Sequence, residues 1–239
     1  MAEDLDPDTM IRRLKAVVFD LDDTLLVSTV DYAKFKTLTI ERLVQYGEPR
    51  EDYTPSETIV AILRRFEGRM RTRGVPEVEI RRRLAELDRI MDEVEMEHVD
   101  DSVAYPDSRR LLRLLRENGV KVGILTRGCR DYAVAALSKT GLADLVDAME
   151  CRNSETRPKP DRESFDKLIG ALGVRREDTV LVGDHPIDGH CASNAGVPFI
   201  GVRTGEVPDH LLVEAGAVAV FDDVGELADY MESVLKRQK

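Results

Sequence analysis

The segment Lys15-Ala16-Val17-Val18-Phe19-Asp20-Leu21-Asp22-Asp23-Thr24 is an unbroken apolar run cut off by acids. A strand with one wet face alternates apolar and polar residues, whereas an uninterrupted run of this length belongs to a parallel strand buried on both faces. The same shape returns at 120–126, 179–184 and 198–202, and more weakly at 217–221. Helical patterns are expected near 106–118, 130–139, 161–172, 186–195, 208–215 and 223–237. Alternating strand and helix predicts an α/β fold, a parallel sheet with helices on both faces. Residues 1–14, polar, acid-rich and carrying Pro7, are expected to form a weakly ordered lead-in.

Residues 28–104 break this rhythm. No convincing strand is legible there, and two apolar stripes have helical spacing: Ile59, Ile62, Leu63, Phe66 and Met70, then Ile80, Leu84, Leu87, Met91 and Val94. The second is too short for a sustained coiled coil, which predicts an antiparallel helical bundle. The expected organisation is a core of 1–27 and 105–239 with an all-helical insert at 28–104. The insert's arginine groups, Arg81 to Arg83 and Arg64, Arg65, Arg69, Arg71 and Arg73, read as solvated faces, with Glu77–Arg81 and Glu79–Arg83 as surface pairs.

Composition excludes several classes of function. The 239 residues carry 35 Lys plus Arg against 46 Asp plus Glu, a net charge of −11, which argues against non-specific nucleic-acid binding. The three cysteines, Cys129, Cys151 and Cys191, form neither a disulfide framework nor a zinc knuckle. With no signal peptide and no apolar run long enough to span a membrane, a cytoplasmic protein is expected. No GxGxxG follows the first strand, which disfavours a nucleotide-binding oxidoreductase.

Ligands of parallel α/β sheets collect beyond the carboxyl ends of the strands. The polar residues there are Asp20, Asp22, Asp23 and Thr24 after the first strand, Thr126, Arg127 and Gly128 after the second, and Asp184 and Asp188 after the strand near 180. Arg157-Pro158-Lys159-Pro160-Asp161 supplies a basic loop between them. Converging carboxylates repel one another unless a cation is present, and hard oxygen donors without Cys or His favour Mg²⁺. Lys159 adds a positive charge, and Thr126 with the following N–H groups can donate to an anion. Such a pocket suits a phosphoryl group: a metal and a lysine to share its charge, a carboxylate to attack it.

Four segments in order, Phe19-Asp20-Leu21-Asp22-Asp23-Thr24-Leu25, Leu125-Thr126, Lys159 in its Arg-Pro-Lys-Pro-Asp loop, and Gly183-Asp184-His185-Pro186-Ile187-Asp188, resemble the haloacid dehalogenase superfamily in its phosphatase branch. The resemblance implies a Rossmann-like core with a helical cap. It implies Asp20 as nucleophile and metal ligand, and Asp22 as the acid and base whose backbone carbonyl binds the metal. It further implies Thr126 and Lys159 on the phosphoryl oxygens, Lys159 also neutralising Asp20, and Asp184 on Mg²⁺. Asp188 would act through water or orient Lys159.

The chain also departs from the family's pattern. Asp23 stands where many relatives have Gly, and no catalytic role is transferred to it. Arg127 follows the Thr where Asn is common; it is counted with the phosphate-binding residues, reaching an anionic part of the substrate, unless it lies solvated at the rim. His185 is expected to be a loop residue beside the site, and Cys129 a small filler. The function implied is Mg²⁺-dependent hydrolysis of a small phosphorylated metabolite through an aspartyl-phosphate, with the cap supplying specificity. A phosphomutase, and more weakly a phospho-accepting signalling domain, are the alternatives. Neither the substrate nor the oligomeric state is legible.

Overall fold

A computed structural model of the chain describes residues 6–236. Among them, the strands are β1 (Ala16–Phe19), β2 (Leu26–Val27), β3 (Val103–Ala104), β4 (Lys121–Leu125), β5 (Ala148–Glu150), β6 (Thr179–Gly183), β7 (Phe199–Val202) and β8 (Ala217–Phe221). The helices are α1 (Pro7–Arg13), α2 (Tyr32–Gln45), α3 (Ile59–Thr72), α4 (Glu77–Met96), α5 (Ser108–Glu117), α6 (Arg130–Thr140), α7 (Arg162–Leu172), α8 (Pro186–Ala195), α9 (Asp209–Glu214) and α10 (Val224–Lys236). The chain divides into two compact units, one running up to Ser28 and from Asp100 onward, the other spanning Thr29–Val99.

The first unit is built on a six-stranded sheet in the order β5-β4-β1-β6-β7-β8, every adjacent pair parallel. All four residues of β1 are fully buried, as expected for the central strand of a sheet covered on both faces. Side chains alternate across a strand, so Ala16 and Val18 join one core with Phe165, Leu168 and Leu172 of α7, Ala192 of α8 and Leu212 of α9. Helices α5 and α10 pack together, α5 against β4 and α10 against β8. The chain leaves β1 for β4 on one side and returns at β6 on the other, which puts the switch in strand order beside β1.

Three expectations are corrected. Residues 7–13 of the supposed lead-in are helical, with Asp6 as the N-cap, accepting from the Thr9 N–H at 3.1 Å, and Pro7 in the first turn. Met10 and Ile11 are buried, and Tyr230 on α10 donates to Asp8 at 2.6 Å; residues 1–5 of that segment and Arg237 of the last expected helix lie outside the described residues. Next, β5 has no counterpart in the sequence reading: it is three residues long and half-exposed at the sheet edge, too short to leave an apolar run. Last, the stretch read as strand-free contains β3, which pairs antiparallel with β2. A two-residue strand carries no periodicity to detect.

The second unit is all helical. Ile40 and Leu43 of α2, Ile62, Phe66 and Met70 of α3, and Ile80 and Leu87 of α4 form one core with Tyr53, so both stripes face inward. Met91 and Val94 form a second cluster with Phe35. The arginines are not uniformly solvated. Arg69 and Arg73 converge on Glu48, whose side chain is wholly buried, and the Tyr53 hydroxyl donates to it at 2.8 Å. Glu79 pairs with Arg82 and Arg83, whereas Glu77 pairs with Arg71.

Burial works against the Glu48 charge, and hydrogen bonds from Tyr53, Arg69 and Arg73 overcome it, holding its carboxyl below the usual range. Glu48→Ala strands the Tyr53 hydroxyl and is expected to cost about 2 kcal/mol, measured by denaturant unfolding. Because the folded pKa is depressed, the contribution is present above the unfolded value and is lost as pH falls through the folded one. The wild-type advantage over the variant should therefore shrink on acidification.

Candidate active site

Three adjacent strands deliver the predicted residues to one place. Asp20 follows β1, and its N–H continues the ladder by donating to the Val182 carbonyl at 2.9 Å. Asp20 Oδ1 accepts from the Leu21 N–H at 2.7 Å and from Lys159 Nζ at 2.8 Å. The chain then turns tightly: the N–H groups of Leu25 and Leu26 both donate to the Leu21 carbonyl at 3.0 Å. Asp23 occupies the left-handed region at φ 52°, a conformation that glycine adopts without steric cost and other residues adopt rarely. Its carboxylate accepts from the Ser28 N–H at 3.1 Å, and burial pushes its pKa up.

Lys159 is only 1% exposed in its side chain and is held between two acids, Asp188 at 2.6 Å and Asp20 at 2.8 Å. Burial opposes its charge, and the two carboxylates more than compensate, driving its pKa upward. Its main-chain carbonyl accepts from Arg127 Nη1 at 2.5 Å. Arg127 thus braces the lysine loop, and the Arg127 carbonyl in turn accepts from Arg152 at 3.1 Å.

Asp188 sits in the first turn of α8, fully buried. Its Oδ2 accepts from the His185 N–H at 3.2 Å, while His185 Nδ1 accepts from the Ile187 N–H at 3.1 Å. This reciprocal cap satisfies two N–H groups that a helix start leaves orphaned. His185 is therefore the α8 cap, and burial lowers its pKa. Gly183 makes room for Asp188: a Cβ there would lie 2.4 Å from the Asp188 carboxyl carbon. Further along α8, His190 is exposed, while Cys191 is buried.

Asp184 follows β6 and accepts from the Thr24 hydroxyl at 2.9 Å. Burial, then repulsion from Asp20 and Asp188, pushes its carboxyl up to about 8. Burial likewise raises Asp188, to about 7, although Lys159 pulls the other way. Oxygens of Asp20, Asp184 and Asp188 lie within 4.8 Å of one another. Hard donors crowded at this spacing, with one carboxyl destabilised by its neighbours, fit a divalent cation such as Mg²⁺.

Thr126 follows β4 and is buried; its Oγ1 accepts from the Gly128 N–H at 2.9 Å, which leaves the hydroxyl proton to donate elsewhere. Asp22 Oδ1 accepts from the Tyr132 hydroxyl at 2.5 Å. The sequence reading assigned nothing to Tyr132 or Thr24. Each contact joins residues more than a hundred positions apart, and no local spacing announces it.

The model for haloacid dehalogenase-like hydrolases matches residues 17–202. The chain belongs to this family of hydrolases. It is 29% identical to the phosphoglycolate phosphatase of Rhodospirillum rubrum, over 91% of this chain and 90% of that one. It is 27% identical to the N-acetylmuramic acid 6-phosphate phosphatase of Pseudomonas aeruginosa, over 93% and 97%. Among solved structures, a hydrolase from Pseudomonas syringae superposes with a TM-score of 0.67 at 22% identity, covering 92% of this chain and 98% of that one. No helix among the described residues is long and apolar enough to cross a membrane.

Proposed function

We propose that the protein is a cytoplasmic, Mg²⁺-dependent hydrolase of a small phosphomonoester that works through an aspartyl-phosphate on Asp20. The observation that carries this reading is the buried Lys159 ammonium, seated between Asp20 and Asp188 beside Asp184. Asp20 Oδ1 is occupied by Lys159 and the Leu21 N–H, which leaves Oδ2 to attack. As the Oδ2–P bond forms, the ester P–O bond breaks, and Asp22 gives its proton to the departing oxygen. Asp22 then takes a proton from water, the water oxygen bonds to phosphorus, and the Asp20–phosphorus bond breaks to release phosphate. Thr126 and Lys159 hold the phosphoryl oxygens through both halves, and Arg127 supports them by fixing the lysine loop. Asp20, Asp184 and the Asp22 carbonyl would hold Mg²⁺, which supplies charge neutralisation on the phosphoryl group. The helical unit is read as the cap that selects the substrate, inserted between β1 and β4.

Phosphate release should be measured across phosphoglycolate, sugar phosphates, nucleotides and pyrophosphate, with Mg²⁺ and with EDTA. Mg²⁺-dependent release from one small ester is expected. Transfer of the phosphoryl group to a second sugar hydroxyl, without release, would turn the reading to a mutase.

The raised carboxyls give a readout separate from activity. Asp184 and Asp188, near 8 and 7 against 3.8 for the ordinary carboxyl, bind protons in the folded metal-free chain that the unfolded chain releases. Their contribution is fully present below the unfolded pKa and is lost as pH rises through the folded values. The metal-free melting temperature should fall between about pH 5 and about pH 8 on this account. Mg²⁺ prefers the ionised carboxylates, so its stabilisation should grow over the same interval. A Mg²⁺ shift that shrinks as pH rises would contradict the assigned ligands.

A further inference from the structure

We infer that Tyr132 is a positioning residue for Asp22, holding its carboxyl so that it presents its proton to the leaving group in one fixed direction. The inference rests on the proposed acid and base role of Asp22 and adds a residue that the mechanism above does not use. The Tyr132 hydroxyl donates to Asp22 Oδ1 at 2.5 Å. With Oδ1 engaged as an acceptor, the carboxyl is kept from turning freely and presents its proton in one fixed direction. A freely rotating carboxyl would divide its proton between two oxygens and many directions, and fixed orientation is a principal source of catalytic advantage.

The local structure is built to deliver this hydroxyl. Tyr132 lies in the first turn of α6, and its ring is fully buried. Its own N–H donates to Cys129 Sγ, the α6 N-cap, at 3.5 Å, which anchors the start of the helix. The ring reaches Asp22 past Gly128: a Cβ on that glycine would stand 3.0 Å from Tyr132 Cδ1 and 3.3 Å from Thr126 Oγ1. Glycine at this position lets the phosphate-binding turn and the tyrosine share one space. The loop after β4 therefore does two tasks, presenting Thr126 to the phosphoryl group and Tyr132 to the acid.

The test compares the wild type with Tyr132→Phe, Asp22→Asn and the double variant, on an alkyl phosphate and on a dinitrophenyl phosphate of similar size. Alkoxide departure needs a proton, whereas an activated phenolate leaves with little help. Tyr132→Phe should lower kcat on the alkyl ester about tenfold more than on the aryl ester, with KM within roughly twofold. The double variant should be no worse than Asp22→Asn alone, since a positioner has nothing to position once the acid is gone. Equal losses on both esters, a change in KM alone, or additive losses in the double variant would overturn the inference and leave Tyr132 a packing residue. Asp22→Asn without any leaving-group dependence would instead remove the acid role itself, and the inference with it. Melting curves keep the reading secure: Tyr132→Phe deletes one oxygen, and a global loss of fold would lower both substrates together.

Discussion

Asp20→Asn is expected to reduce phosphate release by on the order of 10⁴-fold or more while the protein stays folded. The amide keeps the size of the carboxylate, and its oxygen can still accept from the Leu21 N–H and Lys159, the two donors now on Asp20 Oδ1. What it loses is the anionic oxygen that bonds to phosphorus. Removing that charge also relieves repulsion on the buried Asp184, where Asp20 is the largest effect after burial. This relief opposes the loss of one of the two carboxylates on the buried Lys159, so the melting temperature of the metal-free variant should stay close to that of the wild type even as activity vanishes. Initial rates and melting curves on the same preparation check both halves. A variant retaining more than about 1% of wild-type turnover would exclude Asp20 as the nucleophile.

Lys159→Met should be damaging in a different way, to stability as well as rate. The lysine is the counter-ion of two carboxylates, and removing one partner of a buried pair costs about 3–5 kcal/mol because the other charge is stranded. Here Asp188 is fully buried and loses its Nζ contact at 2.6 Å. Its carboxyl, already raised, would move further up, so the folded variant takes up a proton that the unfolded chain does not hold. The stability deficit should thus be smaller near about pH 5 and larger near about pH 8, read by denaturant unfolding at each. Turnover should fall by about 10²–10³-fold from the lost stabilisation of phosphoryl charge. A deficit that does not vary with pH would mean that Lys159 holds the loop by packing rather than by charge.

Much of this architecture was legible before the structure. Apolar runs that stop at polar residues located β1, β4 and β6, because strands buried on both faces admit no alternation, and the candidates Asp20, Thr126 and Asp184 stand where those runs end. The helical insert was equally visible, since Ile62, Phe66 and Met70 repeat at helical spacing and meet Ile80 and Leu87 in one core. What escaped was short or non-local. The strands β2, β3 and β5 are two or three residues long, below the length at which a pattern can form. The helix α1 sits in a polar segment with only Met10 and Ile11 buried.

The contacts between segments distant in the chain were the least legible. The pairing of Lys159 with Asp20 and Asp188 was implied by the family resemblance alone, because these acids come from the end of β1 and the start of α8 and no local spacing joins them to the lysine. Arg127 was weighed as a substrate contact or a rim residue, and in the structure its guanidinium meets the Lys159 carbonyl. Arg69 and Arg73 looked like surface charge until the fold brought the buried Glu48 between them. Glu48 lies far from both arginines in sequence, so no helical spacing could pair them.

The most direct measurement is the mass of the peptide carrying Asp20, taken by rapid acid quench while Asp22→Asn turns over a dinitrophenyl phosphate. The activated leaving group lets the first half-reaction proceed without the acid, and loss of the base slows the second half. A phosphoryl adduct on Asp20 that rises and then decays with phosphate release is the predicted result. Phosphate release with no adduct at any time, or an adduct on another residue, would contradict an aspartyl-phosphate mechanism at Asp20.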